Sequence, residues 1–203
     1  EAGFDVVGVD IEPQKHYPFV FIQADALDML SALARGHCWT DQTGCDWHLE
    51  DFAAIHASPP CQRFSKMTKR WGSPLQHPDL IAAVRKFLQE TGKFYIIENV
   101  EGAPLDKPIL LCGSIFGLPL RRHRLFETNY PVRQPSCRHN PRNAIVGVYG
   151  HAGGRSKRND TQFANTSEWS WAMGIDWMVW NELKEAIPPV YAKYVWGQLL
   201  KVL

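Results

Sequence analysis

Apolar and polar positions along this chain group into short strand-like runs and longer helix-like stretches. Val6-Val7-Gly8-Val9 is a mostly β-branched run that ends in Asp10, and Val20-Phe21-Ile22 is a second, followed by Gln23-Ala24-Asp25. Over residues 26–35, Leu27, Leu30 and Leu33 recur at the spacing of one helical face. Residues 52–57 form an apolar run that predicts a buried strand. Leu80, Val84, Phe87 and Leu88 then mark one face of a helix introduced by Pro78-Asp79 and stopped by Gly92. Residues 94–97 (Phe-Tyr-Ile-Ile) predict a further buried strand. Strands alternating with helices predict an α/β fold with a mostly parallel sheet.

The pattern changes after Glu127. Residues 128–165 are rich in Pro, Asn, Gly and Arg, with one strand candidate at 145–149, and read as an inserted small subdomain. Trp169, Trp171, Trp177 and Trp180 cluster with Met173 and Met178 in a stretch of short helices. That cluster reads as a small core rather than a base-stacking platform. Pro188-Pro189 opens a last helix carrying Tyr191, Tyr194, Val195 and Leu199. The expected organisation is a core over 1–127, a small recognition region over 128–180, and a returning segment over 181–203.

Composition narrows the class. The chain has 203 residues, 45% of them hydrophobic and 21% charged, which suits a globular protein with a sizeable core. No apolar run approaches the ~18 residues of a membrane span. Five cysteines are an odd number without a dense framework, so a reducing, cytoplasmic setting is the simpler reading. The net charge of +1 hides an asymmetry. Between Arg121 and Arg158 nine Lys or Arg residues face a single acid, Glu127, which predicts a polyanionic partner.

Three short elements carry the candidate chemistry. Pro59-Pro60-Cys61-Gln62 follows the strand at 52–57 and puts a cysteine on a loop at a strand's carboxyl end, where open α/β sheets build their sites. Glu98-Asn99-Val100 follows the strand at 94–97. Arg122-His123-Arg124 precedes the apolar pair Leu125-Phe126. Cysteine, glutamate and paired arginine suggest a nucleophile, an acid and an anion clamp. The flanking prolines and the polar Gln62-Arg63 argue against a buried structural role for Cys61. His37, Cys38, Cys45 and His48 fit no common zinc spacing, and Cys137 with His139 supplies too few ligands, so no metal is expected.

In this order, these pieces resemble the DNA cytosine-5 methyltransferase family, most closely its compact phage-type members. The resemblance implies a Rossmann-like, class I methyltransferase sheet, S-adenosylmethionine as cofactor and double-stranded DNA as substrate, acted on by a monomer. It implies that Cys61 attacks carbon 6 of a flipped cytosine, that Glu98 protonates ring nitrogen 3 with its pKa raised by desolvation, and that Arg122 and Arg124 grip the cytosine carbonyl and a phosphate. Asn99 would brace the loop. Asp10, Ile11, Asp25, Ala26, Pro59, Glu185 and Ile187 match positions that line the cofactor. Residues 65–71 would form a mobile loop over the flipped base. The family's first strand and its Phe-x-Gly-x-Gly-Gly loop have no counterpart here and are expected to lie upstream. Leu120 stands where a glutamine is frequent, and Glu185-Ala186 where Asn-Ser or Asn-Ala is usual. The alternatives are a tRNA cytosine-5 methyltransferase of the same fold, whose usual Cys-Phe-Thr tripeptide is absent, and a DNA-binding remnant without activity.

Overall fold

The computed structural model describes residues 2–140, 145–148, 161–162 and 165–201. In chain order its strands and helices are β1 (Val7–Asp10), β2 (Val20–Gln23), α1 (Ala26–Ala34), β3 (Trp39–Thr40), β4 (Asp46–Trp47), β5 (Ala54–Ala57), α2 (Lys66–Trp71), α3 (Ile81–Thr91), β6 (Phe94–Asn99), β7 (Ile109–Leu111), β8 (Arg124–Thr128), β9 (Ile145–Val146), β10 (Thr161–Gln162), α4 (Thr166–Met173), α5 (Trp180–Leu183) and α6 (Pro189–Leu199). No helix among the described residues is long and apolar enough to cross a membrane. The chain divides into two compact units, one of residues 5–109 and 124–131, the other of residues 1–4, 110–123 and 132–203. Long-range contacts draw these bounds, which composition along the chain does not reveal.

The first unit is mixed α/β. β6 is its most shielded strand, buried at every position from Tyr95 to Asn99. It pairs in parallel with β5, Ala57 opposite Ile97, and antiparallel with β8, Glu98 opposite Phe126. α3 lays Val84 and Leu88 against Tyr95 and Ile97, and Leu30 of α1 joins the same cluster. Gly92 ends α3 with φ of 65°, a left-handed turn that glycine adopts without steric cost. Asp25 starts α1 as its N-cap, its Oδ1 accepting from the Leu27 and Asp28 amides at 2.8 and 3.3 Å.

β1 and β2 pair in parallel, Asp10 opposite Gln23, and form a sheet separate from that of β5 and β6. At Gly8 a side chain would collide with the Tyr17 ring, which lies 2.5 Å from the point a Cβ would take. The segment around His37 to His48 folds as a small hairpin of β3 and β4. Asp41 closes it by accepting from Thr43 N and Oγ1, Cys45 N and Trp47 Nε1. The Thr43 hydroxyl, and then the Trp47 ring, hold this exposed carboxyl below the usual carboxylate range.

Burial of the His56 ring in β5 lowers its pKa to about 4. Unfolded His56 takes up a proton near pH 6.5, so between about 4 and 6.5 the unfolded chain binds more protons. Stability therefore falls as pH falls through that window, by at most about 3 kcal/mol. His56→Gln is expected to flatten this acid limb in urea titrations run at a series of pH values. An unchanged slope would show that His56 does not set it.

The second unit packs Trp169, Ala172 and Met173 of α4 with Leu183, Ile175, Leu120, Val146 and Val148. The tryptophan cluster thus divides. Trp169 is fully buried, whereas Trp171, Trp177 and Trp180 are 67%, 36% and 36% exposed; within α4, helical spacing turns Trp171 off the face that Trp169 shares with Met173. α6 buries Tyr191, Val195 and Leu199, and Phe4 packs on Trp196 with ring centroids 5.5 Å apart. The predicted strand at 145–149 is described only at β9 and Gly147-Val148; Tyr149 lies outside the described residues.

Candidate functional site

The candidate site lies at the carboxyl ends of β5 and β6. Their parallel register pairs Ala57 with Ile97. Continued by one and two residues, it brings Ser58 beside Glu98 and Pro59 beside Asn99. A hydrogen bond fixes this arrangement, with Asn99 Nδ2 donating to the Pro59 carbonyl at 2.9 Å. The Asn99 Oδ1 accepts from the Val100 amide at 2.9 Å, so a side chain that is 1% exposed is engaged at both ends. Prolines at 59 and 60 donate no backbone hydrogen bond, which frees the loop from any ladder and leaves it to Asn99. The chain then turns at Cys61, whose carbonyl accepts from the Phe64 and Ser65 amides, each at 3.0 Å. The Cys61 residue is half-buried at this turn. Residues 65–71, expected as a mobile loop, include the short helix α2, as suits the helix-forming Lys66, Met67 and Arg70.

Asn99→Ala removes the brace and leaves a shielded carbonyl without its donor. The expected loss is about 1–3 kcal/mol in stability, together with faster alkylation of Cys61 as its loop loosens. Thiol-labelling rates at matched folded fraction check it, and an unaltered rate would separate the loop from Asn99.

Glu98 is 7% exposed and lies on the other side of the same strand end. Its Oε1 is 3.0 Å from Nε of Arg124, the first residue of β8. Both side chains are mostly shielded, 15% exposed for Arg124 and 9% for Glu98. Burial and the ion pair act on the carboxyl's charge in opposite senses. Behind this pair, Glu127 accepts from Arg85 Nε and Nη2 and from the Asp106 amide, all at 2.7 Å. The two-pronged contact anchors β8 to α3 and raises the Arg85 pKa, chiefly through its hydrogen bond to Glu127.

The three residues Arg122-His123-Arg124 go to different places. Arg122, 6% exposed, belongs to the other unit. Its guanidinium donates to the carbonyls of Val148 at 2.9 Å and Lys184 at 2.5 Å, and its own carbonyl accepts from the Tyr191 hydroxyl at 2.7 Å. These bonds join the segment after β9, the residue after α5 and helix α6 to the turn ahead of β8. The sequence offers both arginines as an anion clamp and cannot tell which one the fold engages internally.

The residues expected to line a cofactor fall into two groups. Asp10 ends β1 and Asp25 follows the neighbouring parallel strand β2. Asp10 Oδ1 accepts from the Glu12 amide at 2.9 Å, and Gln23 Nε2 donates to the Ile11 carbonyl at 3.2 Å. The Ile11 side chain is 62% exposed, an apolar surface at a strand's carboxyl end beside two acids. That set suits a nucleoside, whose base packs on apolar carbon and whose ribose hydroxyls donate to a carboxylate. Ala26 opens α1 beside them, and Pro59 is buried in the cysteine loop. Glu185 and Ile187 belong to the other unit, between α5 and α6.

Among the described residues, His37, Cys38, Cys45 and His48 form no group able to hold a metal; the group that does converge is Cys112, His123, Cys137 and His139. Comparison with curated proteins found no match. A family model described as C-5 cytosine-specific DNA methylase matches residues 38–109. The match spans β5, the Cys61 loop, β6 with Glu98 and Asn99, and stops short of β8 and Arg124. Members of that family methylate carbon 5 of cytosine in DNA. On the stretch that holds both the cysteine loop and Glu98, the chain is similar to the C-5 cytosine-specific DNA methylases.

Proposed function

We propose that this chain carries the catalytic centre of an S-adenosylmethionine-dependent enzyme that methylates cytosine in double-stranded DNA through a covalent Cys61 adduct. The observation that carries the reading is the juxtaposition at one sheet edge of the Cys61 loop, Glu98 and Arg124, tied together by the Asn99–Pro59 bond. S-adenosylmethionine supplies an electrophilic methyl group, and Asp10, Asp25 and Ile11 are the residues of this unit that would hold its nucleoside part.

The chemistry follows from the target. Carbon 5 of cytosine is a weak nucleophile. Addition of the Cys61 thiolate to carbon 6 breaks the ring double bond and pushes its electron pair toward carbon 5 and nitrogen 3. A proton from the Glu98 carboxyl at nitrogen 3 neutralises the charge that develops there. Carbon 5 then takes the methyl group. Loss of the carbon 5 proton to a base, return of the nitrogen 3 proton to the Glu98 carboxylate and departure of the thiolate restore the ring. Nitrogen 3 and the carbonyl oxygen at carbon 2 are neighbours on the ring, so a guanidinium held against Glu98 can donate to that oxygen. Arg124 takes this role. Arg122, whose guanidinium serves two backbone carbonyls, instead holds the scaffold of its own unit.

A stacked base cannot enter such a site, and flipping it out costs a few kcal/mol. Phosphate contacts from basic residues help to offset that cost. Two residues of the basic segment, Arg122 and Arg124, have internal partners, whereas Arg133 and Arg138 are exposed. The sheet expected for this function is a single Rossmann-like one; β1–β2 and β5–β6 supply parallel pairs compatible with it. The test is transfer of labelled methyl from S-adenosylmethionine to duplex DNA by the full-length gene product, with digestion to nucleosides. Label in 5-methylcytosine is the expected result. Label in another nucleoside, or in tRNA alone, would overturn the reading.

A further inference from the structure

Four side chains outside this site converge in the second unit. Cys112 follows β7, His123 precedes β8, and Cys137 and His139 lie on the extended segment between β8 and β9. Their ligand atoms all lie within 4.8 Å of one another. Cys112 Sγ is 3.2 Å from His139 Nε2, the His123 and His139 Nε2 atoms are 3.3 Å apart, and Cys137 Sγ is 3.6 Å from His123 Nε2. We propose that Cys112, His123, Cys137 and His139 form a structural zinc site.

The 3.3 Å between the two imidazole nitrogens and the 3.6 Å between Cys137 and His123 match ligands on one tetrahedral ion, and the 3.2 Å between Cys112 and His139 is a few tenths of an ångström shorter. With zinc–sulfur bonds of about 2.3 Å and zinc–nitrogen bonds of about 2.0–2.1 Å, tetrahedral angles place two nitrogens about 3.3 Å apart and a sulfur and a nitrogen about 3.6 Å apart. Two thiolates and two imidazoles are the donor set that favours zinc over harder cations. Two thiolate charges balance the ion's own, so the filled site is neutral. That leaves the positive charge of the neighbouring Arg121 and Arg138 undiminished. Four protein ligands fill the coordination sphere, which makes the site structural and not a catalytic metal centre.

The surroundings support a built site. Ser114 Oγ donates to Cys112 Sγ at 3.3 Å and accepts from the Arg138 amide at 3.2 Å, linking the two ligand-bearing strands of chain. Gly113 lets the turn after Cys112 close on Leu120, whose carbonyl lies 2.5 Å from where a Cβ would be. Gln134 donates to the Leu110 carbonyl and accepts from the Leu110 amide, at 3.0 and 2.8 Å, which lays the later segment along the earlier one. Yet residues 136–140 are all exposed and lack helix or strand. Apolar burial therefore cannot offset the entropy of ordering them. A metal cross-link from Cys137 and His139 to Cys112 and His123 can, with two thiol protons released to solvent. The clamp would hold exposed, arginine-bearing chain in one shape.

The test uses the full chain purified under reducing conditions without chelator. About one zinc per chain is expected by elemental analysis. After the metal is stripped, Co(II) added to the chain should produce the intense visible bands of a tetrahedral thiolate–imidazole site. Cys137→Ser and His139→Ala, both at exposed positions, should each weaken zinc binding at least about tenfold, while Cys38→Ser should leave it unchanged. Wild-type chain that holds no stoichiometric zinc and gives no tetrahedral Co(II) spectrum would overturn the proposal, whatever the variants do. So would thiol titration that finds Cys112 and Cys137 joined in a disulfide, or an equal loss of zinc in Cys38→Ser.

Discussion

Cys61→Ser is expected to lower methyl transfer at least about a thousandfold and to abolish covalent capture on DNA carrying 5-fluorocytosine. A serine hydroxyl is almost wholly protonated at neutral pH, whereas an activated thiol provides an intrinsically strong thiolate nucleophile. Fluorine at carbon 5 blocks the final loss of a proton. The sulfur–carbon bond then persists and can be seen as a band shift under denaturing conditions. The substitution is close to isosteric at a half-buried turn whose known backbone bonds run through the Cys61 carbonyl, so the fold should be retained. Circular dichroism and urea midpoints check that. An adduct of undiminished yield in the serine variant would remove Cys61 from the chemistry.

The second large effect concerns Arg124. Arg124→Ala leaves Glu98 shielded, 9% exposed in its side chain, without the guanidinium now 3.0 Å from it. Removing one member of a buried ion pair costs about 3–5 kcal/mol, more than the pair itself contributes, because the remaining charge is desolvated. Glu98→Gln in the same background should recover much of that loss. A double-mutant cycle in urea isolates the coupling. Independent, additive effects would show that the pair is incidental to the fold. Activity separates the roles further, because Glu98→Gln alone also removes the proton expected at ring nitrogen 3, whereas its effect on stability should be the smaller of the two.

Much of the first unit is legible in the sequence alone. The leucine spacing of α1, the Gly92 stop of α3 and the apolar runs of β5 and β6 are local signals, and each element formed within two or three residues of its expected bounds. So is the association of a proline-flanked cysteine with a strand end. Less legible are the ends of side-chain bonds. Arg122 and Arg124 are two residues apart in the same basic stretch, and one holds Val148 and Lys184 while the other faces Glu98. Trp169 and Trp171 are likewise two apart, and helical rotation alone sends one inward and the other to solvent.

The zinc-type cluster shows the same limit most sharply. Read along the chain, Cys137 and His139 are two ligands short, and the partners stand 14 and 25 residues away at His123 and Cys112, in no familiar spacing. Only folding of both stretches around the Ser114 and Gln134 bonds brings the four atoms together. Local propensity and motif order determined which elements form and what kind of chemistry the chain carries, because backbone preference and side-chain type act over a few residues. The tertiary structure decided which of several equivalent residues are engaged and which ones meet, because hydrogen bonds and metal geometry are satisfied in space, between positions whose separation in sequence is arbitrary.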